Sequence, residues 1–173
     1  VDASLEANVE AANGLLDQVA QLNLQITQVE GASGQANGLR DQRDMILDEL
    51  SQFMDISVVE SENGSVDVLV GSIPVVLGQD NRGIKLEVRQ DGDRRTMSIN
   101  VAQDGSSLVV DSGAIGSLLA QRSQTIEPAM EQLDQLASQL IWQVNRLHSQ
   151  GQGLEGLASV TGSVQVGDPA ALI

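Results

Sequence analysis

Three groups of residues have the types and spacing that chemistry requires. The first is Gly151-Gln152-Gly153-Leu154-Glu155-Gly156, which fits the G-x-G-x-x-G dinucleotide pattern letter for letter. That pattern works when a strand precedes it and a helix starts on it, so that the helix N-terminus meets a pyrophosphate. Here a helical period precedes it and a loop-like stretch follows, so the glycines read as a helix stop. The second is His148, the only histidine, beside Ser149. A triad needs a nucleophile, a base and an orienting acid in mutual reach, and neighbours on a helix point about 100° apart. A histidine in a last helical turn is favoured by the helix dipole without any catalytic role.

The third group is acidic. Asp91-Gly92-Asp93 lacks the residues and length of an EF-hand loop. Asp41, Asp44 and Asp48 stand at helical spacing beside Arg40 and Arg43, where ion pairs such as Arg40 with Asp44 are expected. Asn63-Gly64-Ser65 matches a glycosylation sequon and reads equally as a hairpin turn. The sequence therefore assigns no catalytic, cofactor-binding or metal-ligating residue and no cofactor. The Arg40, Asp41, Arg43 and Asp44 cluster is taken as a structural ion-pair group.

Composition narrows the function classes further. Twenty-four acidic side chains face nine basic ones, a formal net charge of −15. DNA or an anionic membrane would be repelled, so neither nucleic-acid binding nor membrane insertion is expected. No apolar run approaches the roughly 20 residues needed to span a bilayer. With no cysteine, disulfides, thiolate metal sites and cysteine nucleophiles are all excluded. One Phe, one Trp and no Tyr leave the core to aliphatic side chains and make an aromatic-lined ligand pocket improbable. A chain of 173 residues buries roughly 70% of its open-chain surface and needs no staple. The start without Met and the apolar end, PAALI, suggest a piece of something longer.

Behind these residues stand the elements that must position them. Leu15, Val19, Leu22, Ile26 and Val29 keep a helical period within residues 3–30, extended backwards by Leu5, Val9, Ala12 and Leu16. The break at 31–34 precedes a second helix from about Asn37 to Met54, with Leu39, Ile46, Leu50 and Phe53 on one stripe. Arg43 occupies an apolar position there, and its head is expected to reach a carboxylate. From Asp55 the period changes to two. Short β-branched runs such as SVDVLV, GIKLEVR and RTMSINV alternate with Asn-Gly and Asp-Gly turns, which predicts an antiparallel meander of five or six strands. After Gly113 the helical period returns, first briefly and then in a longer helix with Pro128 near its start. Leu133, Leu140, Val144 and Leu147 lie on its apolar stripe, expected to pack against the first helix.

The predicted architecture is α+β, a bundle of long amphipathic helices with an inserted antiparallel β-meander. Its parts are a helical first half over 1–54, the meander over 55–111, a helical second half over 112–153, and the incomplete start of a further segment over 154–173.

One run of residues carries a resemblance. Ala36-Asn37-Gly38-Leu39-Arg40-Asp41-Gln42-Arg43-Asp44, continuing through Leu47-Asp48-Glu49-Leu50-Ser51, resembles the "N-x-L-x-D-Q-R-D" helix of the flagellar hook-associated protein 1 family. The upstream Leu22-Asn23-Leu24-Gln25-Ile26, the downstream Ser112-Gly113-Ala114-Ile115 and the ending Val144-Asn145-Arg146-Leu147-His148 are similar to other segments of that family. Their order and spacing agree over about 150 of the 173 residues. The resemblance implies a structural, non-enzymatic subunit joining the flagellar hook to its filament. It also implies export through the flagellar secretion apparatus to an extracellular position. Implied partners are other copies of itself, hook protein, hook-associated protein 3, and an export chaperone held by a C-terminal region absent from this sequence. The rival readings are another flagellar axial or cap protein, or a non-flagellar helical adaptor or scaffold.

Overall fold

A computed structural model describes residues 1–32, 34–91 and 94–150. Helix α1 runs over Asp2–Gly31 and α2 over Asn37–Ser51. Seven strands follow: β1 (Ser57–Glu60), β2 (Val66–Val70), β3 (Ile73–Leu77), β4 (Asp80–Asn81), β5 (Ile84–Asp91), β6 (Arg94–Val101) and β7 (Ser107–Leu108). Helix α3 (Gly113–Gln121), a π-turn (Arg122–Ile126) and α4 (Glu127–Gln150) complete the described chain. Helices together with antiparallel sheets make the chain α+β, in agreement with the predicted class.

The single meander is corrected to two sheets, one ordered β1-β2-β3-β4 and the other β5-β6-β7. The physical reason lies in the join. Only Arg82 and Gly83 separate β4 from β5, and the chain there leaves the first sheet to begin the second. Arg82 fastens the two. Its Nη1 donates to Pro74 O in β3 at 2.9 Å, its Nε donates to Gln103 Oε1 at 3.1 Å, and its Nη2 pairs with Asp104. The Asp104 carboxyl is held below its ordinary range, first by the Ser106 backbone N–H, then by the Ser106 hydroxyl and by Arg82.

Within the first sheet, β2 alternates buried Val66, Val68 and Val70 with partly exposed Asp67 and Leu69. The β2–β3 register slips between Val68 and Leu69. Such a bulge explains how Pro74, which cannot donate to a ladder, is tolerated in a strand. It also explains why the adjacent Val75 and Val76 are both buried.

The first compact unit, Val1–Ser123, has one core. The α1 stripe (Leu5, Val9, Ala12, Leu15, Leu16, Val19) meets Leu47, Leu50 and Met54 after α2. It also meets Val66 to Val76 from the first sheet and Ile84, Ile99, Val101 and Leu108 from the second. Met54 lies beyond the end of α2 yet is fully buried, so the second helix is shorter than predicted while its last apolar residue still joins the core. Gly113, at φ +73°, lets α3 start directly against the end of α2, where a Cβ would collide with the Phe53 and Met54 backbone. The Ala114 and Ile115 N–H groups then donate to Gln52 O and Phe53 O at 2.8 and 2.9 Å. The orphan amides of one helix thereby cap the orphan carbonyls of another.

The second unit begins at Gln124, and its described part contains α4. Pro128 was expected near a fresh helix start, and a π-turn directly precedes it. Widening the helix there relieves the clash between a proline ring and the carbonyl one turn back. On the stripe of α4, Leu133, Leu140, Val144 and Leu147 are 64, 63, 41 and 67% exposed. Within the first unit the buried face of α1 is covered chiefly by α2 and the sheets. His148 sits in the last turn of α4, as its dipole preference requires. The glycine-rich run at 151–156 and the segment 154–173 lie outside the described residues.

Candidate functional site

The densest polar constellation joins α1, α2 and the β1–β2 hairpin. At its centre is Asn23, fully buried on the apolar stripe of α1. Its amide nitrogen donates to Val66 O at 2.7 Å and Gly78 O at 2.6 Å. Its Oδ1 accepts from Val66 N and from Arg43 Nη1, both at 3.0 Å. Two donors and two acceptors exhaust what an amide side chain offers, so this buried group leaves nothing unsatisfied.

Arg43 is 3% exposed and donates a second bond from Nη1 to Gly64 O at 2.7 Å. The expected carboxylate partner is therefore replaced by an amide and a carbonyl. The reason is position: an arginine on the buried stripe of α2 meets what α1 and the hairpin turn place there. Burial lowers its pKa, while the charges of Asp44, Glu60 and Glu30 act in the opposite direction.

Arg40 lies one turn earlier, at the edge of the same group. Its Nε and Nη2 form a two-pronged pair with Glu30, both contacts at 2.8 Å, and its Nη1 pairs with Glu60 of β1. The expected Arg40–Asp44 pair is thus corrected: Arg40 reaches across to α1 and β1 instead of along its own helix. A planar guanidinium gains more from a bidentate carboxylate than from a lone i,i+4 contact. The bond from Arg40 holds the Glu30 carboxyl below its ordinary range, and Glu30 first, then Glu60, raises Arg40 further.

Gly64 completes the arrangement. It adopts φ +82°, and a Cβ on it would collide with the Glu30–Arg40 pair. The sequon residues around it form the turn that was read from the sequence. Asn63 Oδ1 accepts from the Ser65 amide at 3.1 Å and from its hydroxyl at 2.7 Å.

A second amide on α1 repeats the device. Asn13 Nδ2 donates to Ile84 O at 2.8 Å, and Ile84 N donates to Asn13 Oδ1 at 2.9 Å. Val66 and Ile84 are the first residues of β2 and β5. One helix thus grips the starting residue of a strand in each sheet, using an asparagine as a strand-like partner. Ten residues separate the two asparagines, about 15 Å along the helix axis. Neither asparagine, nor Glu30, Glu60 or Arg82, was singled out from the sequence. A signal existed: Asn13 lies at stripe spacing between Val9 and Leu16, and Asn23 between Val19 and Ile26.

Between α2 and the β1–β2 hairpin lies a polar cleft of about 460 Å³, lined by Asn37, Arg40, Asp41, Arg43, Asp44, Leu47, Val58, Glu60 and Val66. Asp41 and Asp44 are exposed on its wall. This lining contains no Ser, Thr, Cys or His, hence no hydroxyl or thiol nucleophile and no imidazole base. Among the described residues no group of three or more His, Cys, Asp or Glu side chains is placed to hold a metal ion. None of the helices described is long and apolar enough to cross a membrane. The other predicted positions divide sharply. Leu15, Val19, Leu22 and Ile26 are buried, whereas Leu133, Leu140, Val144 and Leu147 are exposed.

Polar groups spent on fastening helix to strand define a structural α+β module. Comparison with known proteins specifies which kind. The family described as "Flagellar hook-associated protein FlgK helical domain" matches residues 1–163, and the chain belongs to that family. It is 27% identical to flagellar hook-associated protein 1 of Escherichia coli (strain K12), over 99% of this chain and 33% of that protein. It is 45% identical to flagellar hook-associated protein 1 of Bacillus subtilis (strain 168) over 62 residues, covering 36% of this chain and 12% of that protein. The solved structure of the flagellar hook junction protein FlgK from Burkholderia pseudomallei is similar at a TM-score of 0.67 and 34% identity. That likeness covers 83% of this chain and 27% of the solved one. The chain spans about a third of the length of the curated relatives that it matches along most of its own length.

Proposed function

We propose that this chain is part of a structural, non-enzymatic subunit of the bacterial flagellum, acting where the hook joins the filament. The observation that carries this reading is the family match over residues 1–163, in agreement with a solved hook junction protein of the same fold. The site chemistry fits the role. A junction must transmit torque without yielding, and the buried amides and guanidinium groups fix strands to helices at defined registers. An enzyme would instead gather convergent polar groups around a reacting atom. The family match and the relatives described above favour this reading over another axial or cap protein or a non-flagellar adaptor.

In the working assembly the subunit meets other copies of itself, hook protein below and hook-associated protein 3 above. It reaches this extracellular position through the flagellar secretion apparatus, with an export chaperone recognising a region outside this sequence. Deletion of the parent gene tests the role directly. Cells with bare hooks and unpolymerised flagellin in the medium, restored to filaments by the reintroduced gene, support it. Normal filaments on the deleted strain overturn it.

A further inference from the structure

The pair Asn-Gly occurs three times, at Asn13-Gly14, Asn37-Gly38 and Asn63-Gly64. In this pair a side-chain amide stands next to a backbone nitrogen that no Cβ shields. The glycine N–H gives up its proton to solvent, and its nitrogen attacks the asparagine Cγ. The new C–N bond closes a succinimide ring, while the Cγ–Nδ2 bond breaks and Nδ2 takes a proton and leaves as ammonia. Water then opens the ring at either carbonyl, which gives aspartate or isoaspartate. No reactant other than water is consumed. The step requires a free side-chain amide, a glycine N–H without a hydrogen bond, and a backbone able to rotate.

Two of the three pairs are locked. Asn13 sits inside α1, where the helix ladder holds the Gly14 N–H. Its side chain is bonded at both ends to Ile84, donating to the carbonyl and accepting from the amide. Asn63 lies in the β1–β2 turn, with Oδ1 accepting from the Ser65 amide and hydroxyl. There the Gly64 N–H donates to Ser61 O at 3.0 Å, and Gly64 O accepts from Arg43. Ring closure at either pair must first break these bonds.

The third pair is open. Asn37 is the first residue of α2, and both it and Gly38 are exposed. The Asn37 side chain makes no hydrogen bond among the described residues. Hydrogen bonding of the helix begins one residue beyond the pair, where Leu39 N and Arg40 N both donate to Ala36 O at 2.9 Å. The Gly38 N–H is therefore one of the orphan donors of a helix start. No side-chain cap holds that start, and nothing lies within 4 Å of the place a Gly38 Cβ would take. Rotating Asn37 frays only the end of a helix, the part that opens most readily.

We propose that Asn37 is a site of spontaneous deamidation, the reactive member of the three Asn-Gly pairs in the folded chain. Asn37 lines the cleft between α2 and the β1–β2 hairpin, together with Arg40 and Asp41. Deamidation turns this neutral wall residue into an anion and carries the chain one charge beyond its formal −15. Either product places a carboxylate in the first turn of α2, which otherwise has none. Aspartate complements the positive end of the helix dipole. Isoaspartate instead adds a methylene to the backbone where the helix begins.

The full chain, aged at mildly alkaline pH and then digested in acid where deamidation stalls, reports the reaction by fragment mass. Asn37 should gain about one dalton at least about tenfold faster than Asn13 or Asn63, each of which must first break hydrogen bonds. In concentrated urea the three sites should react at similar rates, since the same dipeptide is then free at each. Gly38→Ala fits the open space and a helical backbone, so it should slow Asn37 while Asn13 and Asn63 keep their folded-chain rates. Asn13 or Asn63 reacting as fast as Asn37 in the folded chain overturns the assignment. So does an Asn37 that reacts only once urea unfolds the chain, or one indifferent to Gly38→Ala.

Discussion

Helices α1 and α4 follow the same periodic rule and meet opposite fates. Leu15, Val19, Leu22 and Ile26 of α1 are 0–7% exposed, while Leu133, Leu140, Val144 and Leu147 of α4 are 41–67% exposed. A periodic stripe gives a helix an apolar face, but the cover for that face must come from elsewhere in the chain. The α1 stripe differs in one respect: Asn13 and Asn23 interrupt it, and each bonds to the first residue of a strand. An asparagine on an apolar stripe is costly to bury unless a backbone meets it. It therefore specifies what lies opposite far more narrowly than a leucine does. Among the described residues the α4 stripe carries no such address.

Substitutions along the two stripes sharpen this contrast. The largest effect is expected from Leu16→Ala, where a fully buried side chain leaves a cavity at the meeting of α1 and the core. Urea denaturation should show a loss of about 3–5 kcal/mol. Asn23→Ala comes next, at about 2–3 kcal/mol, because it strands the Val66 amide and removes a partner from buried Arg43. A change no larger than a surface substitution would break the claim that this amide addresses the hairpin. Leu140→Ala should be smallest, within about 0.5 kcal/mol, since its side chain is 63% exposed and alanine suits a helix well. A loss comparable to that of Leu16→Ala would mean that the α4 stripe is covered in solution and would dissolve the comparison.

The same contrast shows how far a sequence can be read. Period and punctuation located α1, α2 and the strand runs, because the alternation of buried and exposed positions is written locally. The turn at Asn63-Gly64-Ser65 was legible for the same reason: its hydrogen bonds run between neighbours. Arg43 was visible as a polar intruder on a helix face, and Asn13 and Asn23 gave the same signal without being singled out. Their partners were not legible, because Asn23 reaches Val66 43 residues away and Asn13 reaches Ile84 71 residues away. The Arg40 pairing illustrates the limit. Helical spacing offered Asp44 close by, and the fold supplied Glu30 and Glu60 from two other elements.

By itself, the sequence determined the helical and strand segments, the α+β class and the aliphatic character of the core. Each depends on residue type or on spacing within a few positions. Tertiary structure decided that the strands divide into two sheets, that α1 binds both of them by an asparagine apiece, and which acids Arg40 would hold. Those outcomes depend on distances between residues far apart in the chain, and the free energy of satisfying a buried polar group is settled only when its distant partner arrives.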